Sequence, residues 1–317
     1  MRFLKNVSQI LIKNIFHNID YMKHWIQAAR LRTLPLSISG ILVGTAIAVS
    51  FGYFDITVFV LALLTTIGFQ VLSNFANDYG DGVKGTDADR VGEQRLVGSG
   101  VITPAQMKKA MIITSVITLV IALVLIYKAF GVANFGYSAL FFVLGVSSIV
   151  AAIKYTVGKS AYGYSGFGDL FVFIFFGLVS VIGSFFLYTH VFYWKVILPA
   201  LSVGFLSIAV LNLNNMRDRE NDIKAGKKTI VVKIGPQFAK YYHYYLIVMA
   251  MLSMMLYSII SFESRWEIVY LISFMPLIAH LIIVKKNKVP AMLDKELKKV
   301  ALSTFFMSLL FLIGKFL

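Results

Sequence analysis

Residues 57–81, TVFVLALLTTIGFQVLSNFANDYGD, begin as a long apolar run and end with two aspartates. The part 57–76 carries no charged side chain, and about 20 such residues are needed to cross the hydrocarbon core of a bilayer. A chain inside lipid must satisfy its own backbone hydrogen bonds, and the run lacks the alternation of a strand, so it predicts a transmembrane helix. The aspartates then stand where this helix leaves the membrane.

The same apolar pattern recurs along the chain, which is 58% hydrophobic and has a mean hydropathy of +0.79. Both values are typical of membrane proteins. We therefore predict an all-α fold, a polytopic membrane bundle of about nine transmembrane helices. The predicted spans are 36–54, 57–76, 110–127, 134–153, 170–190, 194–213, 242–261, 266–284 and 300–317.

The first 34 residues precede the predicted spans and are interrupted by charges. They lack the continuous apolar core of a cleaved signal peptide and are more typical of an amphipathic segment that lies in the membrane interface. The sequence thus predicts a cytoplasmic or interfacial N-terminal segment, 1–34, followed by one transmembrane domain, 35–317.

The chain is strongly basic, with 30 Lys and Arg against 15 Asp and Glu. Most of the basic residues lie before the first span or in every second loop, which places them on one side of the membrane. Because Lys and Arg accumulate in cytoplasmic loops, the bias predicts a cytoplasmic N-terminus. Their division among short loops argues against nucleic acid as a partner, and the absence of cysteine excludes disulfides and thiolate metal sites.

Acidic residues are concentrated in two segments on the predicted cytoplasmic side. The first, NFANDYGDGVKGTDADR at 74–90, holds four of the 15 acids, and the second, NLNNMRDRENDIKAGKKT at 212–229, holds three more. In each segment Asn and Asp recur at a spacing of four, which places them on one face of a helix. The residues with this spacing are Asn77 and Asp81 in the first segment and Asn214, Asp218 and Asp222 in the second.

Such a pattern of oxygen ligands predicts a metal site. Like charges one helical turn apart repel, and a divalent cation removes that conflict. Oxygen donors without His or Cys indicate a hard cation, and Mg²⁺ is usually held by one or two carboxylates together with substrate phosphates. Taken singly, each acid is equally explained as a solvated loop charge, but the second cluster disfavours that explanation. Nearby basic residues could bind the remaining phosphate oxygens, namely Lys84, Arg90, Arg95, Arg217, Lys227 and Lys228.

A phosphate site at the mouth of an apolar bundle suits a substrate with one phosphorylated and one lipid-soluble end, as a polyprenyl diphosphate has. Two alternatives of other classes are open at this point. An acid-lined membrane transporter would place charges near the bilayer midplane, where the predicted spans carry almost none. A lipid head-group transferase of the CDP-alcohol type also uses Mg²⁺, but its D-G-x-x-A-R signature is absent.

Together the motifs resemble the UbiA superfamily of intramembrane aromatic prenyltransferases. The resemblance rests on NDYGD at 77–81 with GTD at 85–87, on NNMRDREND at 214–222, and on flanking segments at 30–48, 155–177 and 218–235. In many members the last Asp of the first motif stands where this chain has Gly85, and here Asp87 follows instead. The longer pattern resembles the branch that prenylates 1,4-dihydroxy-2-naphthoate in menaquinone synthesis.

The resemblance implies Mg²⁺-dependent transfer of a polyprenyl group from its diphosphate to 1,4-dihydroxy-2-naphthoate, with decarboxylation. It also implies a bacterial inner membrane location with cytoplasmic active-site loops. Other acceptors (4-hydroxybenzoate, homogentisate or haem) are the alternative within the superfamily. The implied metal ligands are Asn77, Asp78, Asp81, Asp87, Asn214, Asp218 and Asp222. The implied catalytic residues are Asp81, Asp218, Asp222 and Tyr155, and the implied diphosphate-binding residues are Lys84, Arg95, Lys159, Arg217 and Lys228.

Three further expectations concern helix packing, loop mobility and the acids outside the motifs. Gly40 and Gly44 form a small-xxx-small pair that predicts close helix packing. Loops 77–107 and 214–240 are expected to cover the site, with Gly80, Gly82 and Gly85 lending the first loop mobility. Two acids outside both motifs, Asp20 and Asp294, are expected to be near neutral when replaced by Asn.

Overall fold

The chain folds as a bundle of long helices. The computed structural model describes residues 22–85, 95–158 and 160–317, and over these ranges the protein is 84% helix with no strands. Nine of the described helices are long and apolar enough to cross a membrane. The predicted fold class, an all-α polytopic membrane bundle, is therefore confirmed.

We number the membrane-spanning helices in chain order. They are α1 (Leu34–Ser50), α2 (Ile56–Lys84), α3 (Pro104–Phe130), α4 (Phe135–Lys154), α5 (Gly168–Thr189), α6 (Ile197–Lys224), α7 (Ile230–Ile260), α8 (Phe274–Lys286) and α9 (Leu293–Phe316). A 3₁₀ turn, Leu31–Thr33, leads into α1, and a longer 3₁₀ segment, Arg265–Ser273, leads into α8.

The described part of the first acidic motif up to Lys84, and the second motif at 214–222, lie within helices rather than in loops. Helix α2 continues eight residues past its predicted end at 76, and α6 continues eleven past 213. The expected mobility of Gly80 and Gly82 is therefore wrong. A Cβ on Gly80 would lie 2.6 Å from Thr156 Oγ1, and one on Gly82 would lie 2.7 Å from Val97 Cβ. These glycines permit close packing, and only Gly85, with φ of 68°, ends the helix in the left-handed conformation.

Helix α1 lies at the centre of the bundle, packed against α2, α5, α6 and α9. Its residues from 39 to 48 are all buried. The predicted packing role of Gly40 and Gly44 is confirmed, because a Cβ on either would clash with Ser180 or with the backbone of Val181 on α5. The missing side chains allow the two helices to approach closely.

Residues 22–33 pack against the bundle ahead of α1. Ala28 is buried together with Phe75 of α2, and Trp25 contacts the Phe75 ring edge-on at 5.8 Å between centroids. The side-chain amide of Asn74 donates to the carbonyl of Ala29 at 2.8 Å. The remainder of the predicted N-terminal segment, 1–21, lies outside the described residues, so the boundary at 34 stays a prediction.

Two helices are shaped in ways that bear on the site. Within α5, residues Phe173–Val179 form a π-helical segment, a feature that is frequent at functional sites. Helix α4 exposes most of its surface, and Ala151 is its one buried residue. In a membrane, α4 would therefore lie at the lipid-facing edge of the bundle.

Candidate active site

A cavity of about 610 Å³ lies among α1 to α6 and the first turns of α9. At one end it is lined by charged and amide side chains of the two acidic motifs, and further in by apolar and aromatic side chains. The polar lining includes Asn77, Asp81, Arg95, Tyr164, Asn214, Arg217, Asp218, Asp222, Lys227 and Asp294. The apolar lining includes Ile41, Ala62, Phe69, Leu125, Ile126, Phe141, Leu144, Phe175, Val179, Leu187 and Val210.

Asp81 is the most heavily contacted acid of the first motif and is only 2% exposed. The phenol of Tyr164 donates a 2.5 Å hydrogen bond to Oδ1 of Asp81. On the other oxygen, Oδ2, the guanidinium of Arg95 donates at 3.1 Å. The last turn of α2 thus holds a buried carboxylate whose charge is balanced by cations from later parts of the chain.

Asp78 has a different environment from Asp81, although it is nearly as deeply buried. Its two carboxylate oxygens accept the backbone N–H groups of Leu96 and Val97 at 3.1 and 3.0 Å. It is not among the described residues that line the cavity. These contacts favour a positioning role, in which Asp78 fixes the segment that carries Arg95, over the metal ligation implied by the resemblance.

The second motif forms one stripe on α6, as its spacing of four predicts. Arg217 lies side-on to Asp218, with Nε 2.7 Å from Oδ1 and Nη2 2.8 Å from Oδ2. The same Nη2 donates to the amide oxygen of Asn214 at 2.8 Å. Arg217 therefore satisfies oxygens of two predicted ligands at once, as the planar fork of a guanidinium permits.

Lys227 joins the two motifs. Its ammonium lies 3.4 Å from Oδ1 of Asp81 and 3.6 Å from Oδ1 of Asp222. One cation can approach both carboxylates only if the ends of α2 and α6 face the same point. The predicted convergence of the two acidic segments on a common cavity agrees with this geometry.

The other predicted phosphate-binding and metal-binding residues form two groups: described residues that do not line the cavity, and residues that lie outside the described ranges. Lys84 and Lys228 are not among the described residues that line the cavity. The ammonium of Lys84 instead donates to the carbonyl of Thr156 at 2.9 Å and lies 3.8 Å from the ring centroid of Tyr164. Asp87, Arg90 and Lys159 lie outside the described residues, so their roles stay predictions.

An aromatic column extends from the polar end into the cavity. The rings of Tyr155 and Tyr162 meet edge-on at 5.4 Å, Tyr162 stacks on Phe171 at 3.9 Å, and Phe171 is followed by Phe175 at 6.3 Å. All four line the cavity. Burial, reinforced by the nearby carboxylate of Asp169, raises the pKa of the Tyr155 phenol well above its ordinary value, so the ring stays neutral.

Two site residues were missed by the sequence reasoning. Tyr164 was not singled out, although it stands in the same segment as Tyr155. Asp294 was expected to be near neutral when replaced by Asn, and its position in the structure argues against that expectation. It lines the cavity from the first turn of α9, and its Oδ1 accepts from Nη1 of Arg217 at 2.5 Å. Only tertiary packing brings Asp294 to the cavity, and no local sequence motif predicts its position there.

Comparison with known proteins decides the family. The model of the UbiA prenyltransferase family matches residues 37–310 of this chain. The chain belongs to the UbiA prenyltransferase family. The resemblance inferred from the two acidic motifs is thereby confirmed, and the cavity described above is that of a family member.

Relatives in the UbiA family are similar over nearly the whole chain. The 1,4-dihydroxy-2-naphthoate octaprenyltransferase of Escherichia coli (strain K12) is 41% identical over 301 residues, which cover 94% of this chain and 97% of the relative. The protein of the same name from Haemophilus influenzae is 40% identical over 305 residues, which cover 93% and 96%.

Solved structures of UbiA homologues share the fold. A homologue from Aeropyrum pernix K1 superposes with a TM-score of 0.71 at 14% identity, covering 91% of this chain and 99% of that one. A homologue from Archaeoglobus fulgidus bound to GPP and Mg²⁺ superposes with a TM-score of 0.62 at 18% identity, covering 91% and 98%. At these identities the likeness concerns the fold alone.

The donor set of this UbiA-family cavity fits a hard divalent cation. The polar lining supplies carboxylate and amide oxygens, and these are the ligands that Mg²⁺ accepts. Among the described residues, no three His, Cys, Asp or Glu side chains converge as in a preformed metal cage. Mg²⁺ is commonly held by one or two carboxylates with substrate phosphates completing the shell, so an open arrangement of this kind is compatible with it.

Proposed function

We propose that this protein transfers a polyprenyl group from a polyprenyl diphosphate to 1,4-dihydroxy-2-naphthoate, with Mg²⁺ as cofactor and loss of the acceptor carboxylate as CO₂. The products are diphosphate, CO₂ and the quinol form of demethylmenaquinone. The observation that carries the proposal is the position of Lys227 between Asp81 and Asp222, at the polar end of a cavity whose remaining lining is mainly apolar. The names of the most similar relatives support the choice of acceptor.

The polar end suits the diphosphate. Mg²⁺, when bound by oxygens of Asn77, Asp81, Asn214, Asp218 and Asp222, would supply charge neutralisation for the leaving group. Arg95, Arg217 and Lys227 already stand against these acids and can turn to the phosphate oxygens. Arg217 and Arg95 present planar forks, which match phosphate geometry better than a point charge does.

The apolar part of the cavity suits the polyprenyl tail. Its walls come from the middle of α1 to α6, where Leu, Ile, Val, Ala and Phe side chains predominate and Ser and Thr are interspersed. A polyprenyl tail can pass from the lipid into this lining without leaving an apolar environment. The same walls keep water from the allylic cation that forms when diphosphate departs, and so protect it from hydrolysis.

The aromatic column lies where this cation would develop. Tyr155, Tyr162 and Phe171 line the cavity, and their rings are in mutual contact. Aromatic faces attract cations, and a neutral ring cannot trap the cation as a phenolate would. We assign to these rings the stabilisation of the prenyl cation until the electron-rich carbon of the acceptor attacks it.

The basic surface around the polar end supports a cytoplasmic active site in a bacterial inner membrane. Arg30, Arg32, Lys295 and Lys298 line the same end of the cavity as the motifs. Lys and Arg accumulate on the cytoplasmic side of membrane proteins, and a positive field raises the local concentration of anionic substrates. An aryl carboxylate and a diphosphate would both be attracted.

The test uses 1,4-dihydroxy-2-naphthoate labelled in its carboxyl group. Purified protein with Mg²⁺ and a polyprenyl diphosphate should release the label one-for-one with prenylated product. The control is the Asp81→Asn protein in the same detergent or lipid. The choice of acceptor would be overturned if the labelled compound were untouched while 4-hydroxybenzoate was prenylated with its carboxylate retained.

A further inference from the structure

Asp294 is the one acid outside the two motifs among the described residues that line the cavity. It stands in the first turn of α9, and its side chain is 38% exposed. The motif acids that line the cavity, Asp81, Asp218 and Asp222, belong to α2 and α6, so Asp294 approaches the site from a third helix. Its position calls for a role separate from that of a motif ligand.

The partner of Asp294 is Arg217, whose side chain is only 2% exposed. The guanidinium makes two hydrogen bonds to Asp218, one to Asn214 and one to Asp294. Asp294 therefore shares a single buried cation with a predicted metal ligand. It also lies 3.9 Å from the guanidinium of Arg32 through its second oxygen.

The side-on contact of Arg217 covers both oxygens of Asp218. A divalent cation that takes Asp218 as a ligand must therefore compete with Arg217 for the same carboxylate. At the first motif a metal ion meets similar competition, because Arg95 contacts Oδ2 of Asp81 at 3.1 Å and Lys227 lies 3.4 Å from Oδ1. At the second motif, Arg217 is the cation that must give way.

Arg217 cannot leave Asp218 without another anion, because an uncompensated buried charge is strongly unfavourable. Asp294 already holds the Nη1 edge of the guanidinium, on the side away from the two contacts to Asp218. We propose that Asp294 is a positioning residue that retains Arg217 when Asp218 turns to the metal ion. It acts on metal binding through Arg217 and is not itself a ligand.

The helix that carries Asp294 is anchored independently of the site. Two residues further along α9, Glu296 accepts from Nδ1 of the buried His280 at 2.6 Å and from Lys299 at 2.7 Å. His280 in turn contacts His243 of α7 through their Nε2 atoms at 2.7 Å. This buried chain fixes the start of α9, so Asp294 remains in place when Asp218 turns to the metal ion.

The inference rests on the proposed Mg²⁺ site, and Mn²⁺ titration by electron paramagnetic resonance tests it without turnover. The Asp294→Asn variant should bind Mn²⁺ about tenfold more weakly than the unaltered protein, within the range of coupling energies between residues in one ion-pair network. Glu220→Gln is the matched control, because Glu220 lies on α6, pairs with Arg219 and is 75% exposed. The Glu220→Gln variant should bind Mn²⁺ with the same affinity as the unaltered protein.

A double-mutant cycle separates positioning from direct ligation. In an Arg217→Gln background, Asp294→Asn should change Mn²⁺ affinity by less than about twofold, because the residue through which it acts is gone. Arg217→Met, which also removes the cation, serves in the same cycle if the glutamine variant does not fold. An equal loss in both backgrounds would show that Asp294 acts on the metal directly and would overturn the inference.

Activity gives a second readout. With Asp294→Asn, the Mg²⁺ concentration for half-maximal turnover should rise about tenfold, the counterpart of the Mn²⁺ shift, while turnover at saturating Mg²⁺ is largely recovered. If the unaltered protein binds Mn²⁺ and needs Mg²⁺ but Asp294→Asn matches it, this inference alone fails. If the unaltered protein neither binds Mn²⁺ nor needs Mg²⁺, the proposed function fails with it.

Discussion

The ammonium of Lys227 lies 3.4 Å from a carboxylate oxygen of Asp81, although the two residues are 146 positions apart in the chain. Lys227 follows the second acidic motif and Asp81 ends the first. Their contact shows that the ends of α2 and α6 meet at one point of the cavity. The predictions below depend on this meeting.

The first prediction concerns the motif acids. Asp81→Asn and Asp222→Asn should each lower turnover by ~10²-fold or more, the scale of removing one charge-stabilising group from a preorganised site. The loss should be seen in kcat/KM for the polyprenyl diphosphate, with the protein still folded in detergent. Glu220→Gln and Glu263→Gln are the controls, because both carboxylates are exposed and pair outside the cavity. If all four variants were equally active, the motif acids would be ordinary solvated charges.

The second prediction concerns Lys227. Without metal, Lys227→Met should leave Asp81 and Asp222 with less positive charge and lower the melting temperature by roughly 2–4 °C. Mg²⁺ should then stabilise this variant more than it stabilises the unaltered protein, because binding to the folded state adds stability by linkage. Thermal unfolding with and without Mg²⁺ measures both effects. Lys224→Met, which alters an exposed lysine at the end of α6, three residues before Lys227, is the control. An equal Mg²⁺ response in all three proteins would contradict the prediction.

The third prediction contrasts two tyrosines. Tyr164→Phe removes the hydroxyl that donates to Asp81 and should lower kcat/KM about tenfold, the range of a hydrogen bond to a charged group. Tyr155→Phe keeps the ring and should cost less than about twofold, whereas Tyr155→Leu should cost about tenfold, because the ring face supplies the stabilisation.

The burial of Tyr155 also leads to a prediction about the pH dependence of the reaction rate. Because burial raises the pKa of its phenol, the residue does not ionise in the working range of the enzyme. The alkaline limb of the rate profile should therefore be the same for Tyr155→Phe and the unaltered protein. A shift of that limb would mean that the phenol titrates during turnover.

The fourth prediction concerns the length of the prenyl chain. Gly145 and Gly183 line the cavity from α4 and α5, and a Cβ on either would meet open space or Phe141 at an ordinary 3.7 Å. Replacement of either by Leu should therefore fold yet narrow the cavity. We expect kcat/KM to fall for a long polyprenyl diphosphate and to fall less for geranyl diphosphate. The ratio of the two values should change by about tenfold or more, which is the scale on which apolar pockets discriminate between ligands of different size. Gly136→Leu, at an exposed position of α4, is the control. Equal losses with both donors would place the tail elsewhere.

The fifth prediction concerns sidedness. The chain contains no cysteine, so single cysteines can be introduced without background. Val83→Cys and Ile223→Cys, at exposed positions beside the two motifs, should react with a membrane-impermeant reagent from the cytoplasmic side. Phe262→Cys should react from the opposite side. Labelling of the two motif positions from opposite faces would be incompatible with the site described above.

The family, the nine spans and the two acidic motifs follow from local sequence. Apolar runs predict membrane helices because lipid leaves the backbone no other way to satisfy its hydrogen bonds. The stripe on α6 follows from a spacing of four, because the period of a helix is fixed by geometry. Lengths were less predictable, since local apolarity ends at 76 and 213 while both helices continue, α2 with Thr156 and Val97 packed closely against Gly80 and Gly82.

The partners of each charged side chain were decided by tertiary structure alone. Asp78 and Asp81 are alike in sequence, yet the first accepts two backbone N–H groups and the second faces the cavity. Asp294 has no motif around it and still shares Arg217 with Asp218. Sequence spacing specifies which residues share a face of one helix, whereas contacts between helices depend on how all nine pack. For that reason the sequence identified the chemistry of the site, and only the folded chain showed which charges neutralise one another.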